Sequence, residues 1–371
     1  MYDIITVGAG PAGSYFSGLA SKNGFKVLQL DFKSEIGIPN HCSGLVNERI
    51  IKYSGDDLVL EKPEGATIFT PQGSIELKNR NMVVIDRIGL DKKLSNEAIE
   101  SGTILSLNSR FIEFKRENNA IAVYYQRKGK IEKASTKILV GADGPASNVK
   151  RNLGISGPLL LPSIQFDIKK RDSNVKIWLN RKKIKDFFAW EVPQGQSSEV
   201  GISGRYSLDF PYDLLSNYPK IEIFRKRGGL IPIGKSTLGV PGIYLIGDAA
   251  VANKATTGGG LLGAFKSAEY LMSSLNKTDT LTSYRKLWES GFGRDIRNAY
   301  FLRKIIDKTE ILYNLWYNTF KFSNKVINKV GDVDYPEIAA MAILDISIIY
   351  APILLKYFIS DLVQIHNYSK Q

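Results

Sequence analysis

The first thirty residues alternate between short apolar runs and small-residue turns. Tyr2-Asp-Ile-Ile-Thr-Val7 is an apolar run that Gly8 breaks, residues 11–23 carry small residues and Leu19 at helical spacing, and residues 26–31 form a second run ending in Asp31. Runs of this length between turn residues predict strands, and a strand–turn–helix–strand order implies a parallel sheet. Residues 61–85 alternate short strands with turns such as Thr70-Pro71-Gln72-Gly73, and Leu90, Leu94 and Ala98 predict a helix over 89–101. Residues 103–126 predict a hairpin around Glu117-Asn118-Asn119, and 136–141 a buried strand closed by Ala-Asp-Gly. From about 156 to 232, short alternating segments predict an antiparallel sheet. The buried-strand texture then returns at Gly242-Ile-Tyr-Leu-Ile-Gly247, followed by a glycine-rich turn, a helix over 260–276 and a helical tail.

This order predicts an α/β chain in three parts. Residues 1–60, 86–155 and 233–276 form a Rossmann-type nucleotide-binding domain. An antiparallel β-sheet substrate domain, 61–85 and 156–232, interrupts it, and residues 277–371 form a helical C-terminal region.

Composition narrows the setting. The 371 residues are 43% hydrophobic and 23% charged, the balance of a globular protein. A formal charge of +13 favours anionic partners or simply gives a lysine-rich solvated surface. No basic run is interleaved with aromatics as in a nucleic-acid groove. The single cysteine, Cys42, excludes an intramolecular disulfide and suits a reducing interior. With two histidines, His41 and His366, no nitrogen–sulfur metal site is expected. The start of the chain shows no secretion signal. The apolar run 338–355 contains Asp345, Ser347 and Pro352, which fits a buried or membrane-resting helix pair better than a span. Between Tyr284 and Lys329, ten basic residues interleave with Leu302, Ile305, Ile306, Leu312, Leu315, Trp316 and Phe320. That pattern fits docking on an anionic bilayer or a solvated helix over the core. The expected place is the cytoplasm, or the inner face of the cell membrane as a peripheral protein.

Gly8-Ala9-Gly10-Pro11-Ala12-Gly13 is a GxGxxG that follows a strand, opens a helix and is answered by Asp31 at the end of the next strand. Gly8 permits the tight turn, Gly10 lets backbone approach a pyrophosphate, and Gly13 lets helix and strand pack closely. The helix N-terminus at Pro11 and Ala12 favours phosphate, and Asp31 suits the adenosine ribose hydroxyls. A second turn, Gly247-Asp248-Ala249-Ala250, precedes Thr256-Thr257-Gly258-Gly259-Gly260-Leu261. An aspartate there can bind a ribityl hydroxyl of FAD, and a glycine turn opening a helix can aim N–H groups at the flavin N1–O2 locus.

With Arg87 in Ile85-Asp86-Arg87 and the segment Gly141-Ala142-Asp143-Gly144, these motifs resemble the flavoprotein group related to p-hydroxybenzoate hydroxylase. The resemblance implies FAD as cofactor, Arg87 beside its pyrophosphate and ribityl portion, and Asp143-Gly144 bracing its site. Pro39-Asn40-His41-Cys42-Ser43-Gly44 is similar to the Pro-x-x-Cys-x-Gly segment of geranylgeranyl reductases. Phe188-Ala189-Trp190-Glu191-Val192-Pro193 with Gly201-Ile202-Ser203 is similar to their Tyr-x-Trp-x-Phe-Pro…Gly segment. Three positions depart from that family. Phe188 replaces a tyrosine, Ala255 a proline and Val251 a glycine.

The resemblance implies reduction of isoprenoid C=C bonds on membrane lipids of archaeal type, or on a related polyprenyl substrate, with hydride from flavin N5. On that reading Cys42, Trp190 and Phe188 are the catalytic candidates. Cys42, Ser43 and Gly44 approach the flavin, while Phe188, Trp190 and Val192 on one strand face line an apolar substrate tunnel or pack a core. One dinucleotide fingerprint leaves the electron donor open. A flavin monooxygenase or halogenase of the same fold is the rival enzyme, since halogenases carry a Trp-x-Trp-x-Ile-Pro segment. A non-catalytic flavin- or lipid-binding protein is the rival from another class.

Overall fold

The structure is a computed structural model, and it describes residues 1–78, 81–206, 214 and 222–308. The first half of the chain runs β1 (Tyr2–Val7), α1 (Pro11–Lys22), β2 (Val27–Leu30), β3 (Leu45–Asn47), α2 (Ile51–Ser54), β4 (Val59–Glu61), β5 (Gly65–Thr70), β6 (Gly73–Lys78), β7 (Met82–Ile85), α3 (Arg87–Glu100), β8 (Ile104–Ser106), β9 (Ser109–Glu117), β10 (Ala120–Arg127), β11 (Lys130–Gly141) and α4 (Asn148–Asn152). The second runs β12 (Leu159–Ile168), β13 (Asn174–Trp178), β14 (Ile184–Lys185), β15 (Ala189–Gln194), β16 (Ser197–Ser203), β17 (Arg205–Tyr206), β18 (Ile223–Ile233), β19 (Gly239–Val240), β20 (Ile243–Leu245), α5 (Leu261–Ser274), α6 (Thr280–Ser290) and α7 (Phe292–Lys308).

The nucleotide half is an eight-stranded sheet. Its path is β19-β20-β11-β1-β2-β8, with the β9–β10 hairpin attached to β11. The pairs of β1 with β11 and β2 are parallel, as are β2–β8 and β11–β20. Ile4, Ile5 and Val27 are fully buried, because a parallel sheet is covered on both faces and its strands read as continuous apolar runs. Helix α1 packs against α3 and α5. Pro11 opens α1, where its missing N–H costs nothing, and the Asp86 carboxylate caps α3 by accepting from Ile88 N at 3.0 Å.

The second sheet has seven strands in the order β18-β12-β16-β15-β13-β5-β6. Every pair is antiparallel except β5–β13. The expectation of an antiparallel sheet fails at that pair for a topological reason. A hairpin forces antiparallel pairing, whereas β5 and β13 are joined through much of the nucleotide half. The segment 61–85 also divides. Strands β5 and β6 join the large sheet, while β7 pairs with β3 and β4 in a three-stranded sheet. A two-stranded ribbon, β14–β17, completes the set.

Helices α6 and α7 lie over the nucleotide half. Tyr284, Trp288, Ile296, Ala299 and Leu302 are buried. Most apolar positions of 284–304 therefore cover the core, while Leu287 and Phe301 stay exposed. The run 338–355 and the positions Leu312, Leu315, Trp316 and Phe320 lie outside the described residues. No described helix is long and apolar enough to cross a membrane.

A Cβ on Gly8, whose φ is +105°, would lie 2.2 Å from Ala142 O. Gly24 has φ +84° but meets nothing within 4 Å. Gly8→Ala should cost about 3 kcal/mol or more in urea denaturation, and Gly24→Ala only about 1 kcal/mol. Equal midpoints for the two variants would contradict the packing described here.

Candidate functional site

The first glycine turn sits where β1 ends. Gly8 N donates to Leu30 O at 2.7 Å, and a Cβ on Gly13 would lie 2.0 Å from Gly8 O. No atom comes within 4 Å of a Cβ placed on Gly10, so the turn presents open backbone there. Asp31 is buried behind it. Its Oδ2 accepts from Ala9 N at 2.6 Å and its Oδ1 from Lys33 N at 2.8 Å. Asp31 thus shapes the turn directly, and each carboxylate oxygen keeps a second lone pair for a ligand.

The second turn follows β20. Asp248 is half-buried on the cavity wall, and a Cβ on Gly260 would lie 3.0 Å from its Oδ1. Burial pushes the Asp248 carboxyl up to about 6, with Arg87 pulling in the opposite direction. Lys254 N donates to Gly259 O at 3.0 Å and Gly258 N to Lys254 O at 2.8 Å, closing the Thr-Thr-Gly loop. Gly258 has φ +75°. Val251, at the departure noted above, has φ +58°. A β-branched residue is strained in that region, which accounts for glycine being the ordinary choice.

Between the turns stands Arg87, the first residue of α3. Its Nη2 donates to Asp91 Oδ1 at 2.9 Å, and its Nε is buried without a partner. Burial opposes its charge, but Asp91 and then Cys42 outweigh burial and raise its pKa. Asp143 does not reach the cavity. Its carboxylate accepts from Ser147 Oγ at 2.5 Å, Asn148 N at 2.7 Å and Val149 N at 3.1 Å, so it anchors the start of α4. Gly144 and Ala142 face the cavity instead.

The loop 39–44 carries Cys42, whose Sγ accepts from Gly44 N at 3.5 Å. Gly44 supports the loop from behind, where a Cβ would lie 2.3 Å from Ile85 O. Burial, then Lys33, lowers the pKa of the neighbouring His41.

Trp190 and Val192 project from one face of β15, and Phe188 stands just before that strand. The rings of Phe188 and Trp190 meet edge to face at 5.9 Å, and Phe187 stacks on Phe188 at 4.2 Å. The Trp190 indole lies over Gly201, where a Cβ would come within 2.3 Å of it, and its Nε1 donates to Glu199 Oε1 at 2.9 Å.

One cavity of about 580 Å³ joins these parts. Its wall includes Gly10, Pro11 and Ala12 from the first turn, Asp248 and Gly258–Leu261 from the second, and Arg87 between them. Cys42 and Ser43 follow, and then the sheet face with Phe188, Trp190 and Val192. Gly8, Gly13, Asp31, Gly44 and Asp143 shape the wall from behind. Lys254, Phe292 and Leu302 also line the cavity and were not expected. Arg303 of α7 donates to Ala255 O at 3.3 Å and lies over the Phe187 ring. No sequence motif marks these four residues; only the seating of α7 beside the second turn reveals them. Among the described residues no group of three or more His, Cys, Asp or Glu could hold a metal ion.

An acid whose folded pKa is raised contributes stability at low pH that is lost as pH climbs from about 4 to about 6. Asp248→Asn should therefore stabilise the unliganded protein above pH 7, by about 2 kcal/mol, and leave it unchanged below pH 4. Thermal unfolding of both proteins at pH 4 and pH 8 checks the sign.

No protein-family model matches the chain. It is 28% identical to digeranylgeranylglycerophospholipid reductase 2 of Methanococcoides burtonii, over 88% of this chain and 94% of that relative. Among solved structures it superposes on a geranylgeranyl bacteriochlorophyll reductase-like protein from Thermoplasma acidophilum with a TM-score of 0.77. The two are 21% identical, over 93% of this chain and 95% of the other. A flavin-dependent brominase superposes with a TM-score of 0.68 at 16% identity, over 93% and 99% of the two chains, a likeness of fold alone. Along most of its length the chain is similar in sequence to digeranylgeranylglycerophospholipid reductases, and its fold is shared with flavin-dependent enzymes.

Proposed function

We propose that this protein is an FAD-dependent reductase that saturates isoprenoid C=C bonds, with geranylgeranyl chains of membrane lipids as the substrate class. The observation that carries this reading is the continuity of one cavity from the two glycine turns to an aromatic and aliphatic sheet face. The residues fit an extended flavin nucleotide. Gly10 offers open backbone at a helix N-terminus, Arg87 brings a buried cation with an unpartnered Nε, and Asp248 brings a half-buried carboxylate beside the second glycine turn. When bound, FAD supplies a hydride from N5 of its reduced form.

The remaining work falls to side chains. Ile68, Ile177, Phe188, Trp190 and Val192 offer an isoprenoid an apolar wall that excludes water and holds the chain in one orientation. Phe188 has no proton to give, and the Trp190 N–H is engaged by Glu199. Of the three catalytic candidates, Cys42 alone carries a transferable proton on the cavity wall, and its thiol is assigned the proton that completes the saturation. We also assign the enzyme to the surface of the bilayer that holds such lipids, in keeping with its charge of +13.

Under anaerobic conditions, the dithionite-reduced, FAD-loaded protein should be reoxidised by a geranylgeranyl lipid and yield the saturated chain. Cys42→Ala should slow that step by about a hundredfold, the loss typical of a missing general acid. Reoxidation no faster than in buffer alone rejects the reductase reading, and product formation that needs oxygen favours the monooxygenase or halogenase alternative. The protein should sediment with anionic vesicles at low ionic strength and be released at high salt. Failure to sediment at low salt removes the membrane assignment alone.

A further inference from the structure

The inner face of the seven-stranded sheet has two chemical halves. Directly opposed residues of paired strands share a face, and Ala66, Val175, Trp190 and Val192 belong to its apolar half. Across β16, β12 and β18 the same face carries Glu199, Gln165, Asp167 and Arg227. Three of these are charged and buried. The side chains of Arg227 and Asp167 are each 5% exposed and that of Glu199 is 0% exposed.

Arg227 holds this group together. Its Nη2 donates to Asp167 Oδ1 and, at 2.7 Å, to Glu199 Oε2, while its Nη1 donates to Asn40 O at 3.3 Å. Glu199 accepts the Trp190 indole N–H with its other oxygen. Two amides reinforce the attachment. Gln165 Nε2 donates to His41 O at 3.2 Å, and Gln194 Nε2 donates to Ser43 O at 3.0 Å. The irregular backbone around Cys42 thus obtains three of its carbonyl partners from the sheet. On the β18 side, a Cβ on Gly229 would lie 3.2 Å from His41 Cβ, so backbone and loop approach closely there.

A buried ion group of this kind adds little net stability, since the cost of desolvating its members roughly cancels their attraction. We propose that Arg227 and Glu199 are positioning residues. Through Asn40 on one side and Trp190 on the other, they lock the Cys42 loop and the aromatic strand into one fixed relation across the cavity. Neither is a catalytic residue, and the inference does not depend on which reaction the cavity performs.

Because Cys42 is the only cysteine in the sequence, its alkylation rate in the native protein reports on this loop alone. The variant Asp167→Leu/Glu199→Leu/Arg227→Met should keep its melting temperature within about 5 °C, as expected when a buried ion group is replaced by apolar residues. Its Cys42 should nevertheless be alkylated about tenfold faster or more, as expected of a loop released to open locally. Glu199→Gln retains the shape and touches no atom of the loop in the contacts above, yet it should accelerate alkylation about threefold or more through Arg227. Lys176→Met, which weakens a second ion group around Glu191, should leave the rate within about twofold of wild type because that group holds none of the three loop carbonyls. If the triple variant does not fold, Glu199→Gln against Lys176→Met decides the matter. Alkylation of Cys42 at the wild-type rate in Glu199→Gln, or equal acceleration in Lys176→Met, overturns the proposal.

Discussion

Successive side chains of a strand point to opposite faces of its sheet, and here both faces of the seven-stranded sheet are put to use. Val200 and Ile202 turn to one side and pack with Phe166, Ile168 and Leu214. Trp190, Val192, Glu199 and Gly201 turn to the other. On that second side the strands nearer β6 bring aliphatic groups and those nearer β18 bring hydrogen-bonding ones. Trp190 stands at the seam, with an apolar ring for the cavity and one N–H for Glu199. A one-residue slip of β15 or β16 would exchange these faces, so the register of those strands and the lining of the cavity are the same constraint.

Within the nucleotide half, helix and strand meet by close backbone contact. Gly8 and Gly13 seat α1 against β1 and against the end of β11 at Ala142. Asp31 and Asp143 then brace their turns from within, each accepting main-chain N–H groups. Arg87 and Asp248 leave opposite charges at the junction, one paired with Asp91 and the other exposed to the cavity. A polar junction leading into an apolar chamber is what an amphipathic pair of ligands would require.

Much of the nucleotide half was legible because its signals are local. Gly8-Ala9-Gly10-Pro11-Ala12-Gly13, Asp31 and the second glycine turn each combine residue type with position beside a buried run. The helix over 89–101 and the hairpin at Glu117-Asn118-Asn119 were legible for the same reason, and both are formed. The polar half of the sheet face was not. Asp167 lies between Phe166 and Ile168 and Glu199 stands before Val200, as exposed charges do on a strand, while Arg227 ends the basic run Arg225-Lys226-Arg227; only the loop 39–44 laid over them makes that face interior. The role of Asp143 was hidden in a similar way, because a carboxylate that caps a helix and one that meets a ligand look alike until the direction of the side chain is known. Strand β7 read as one more segment of the inserted domain, since its pairing with β3 and β4 is long-range and leaves no periodic trace.

Strand β18 ends the large sheet, and no described strand pairs with its outer side. An eleven-residue edge carrying Ile223, Phe224 and Leu230 in contact with solvent is a template on which a second chain could grow. Arg225 and Lys226 stand among those apolar groups and would have to lose their hydration before another strand could add. Cations at such a position act against edge-to-edge pairing, so the strand that closes one side of the chamber wall also carries charge that resists strand addition.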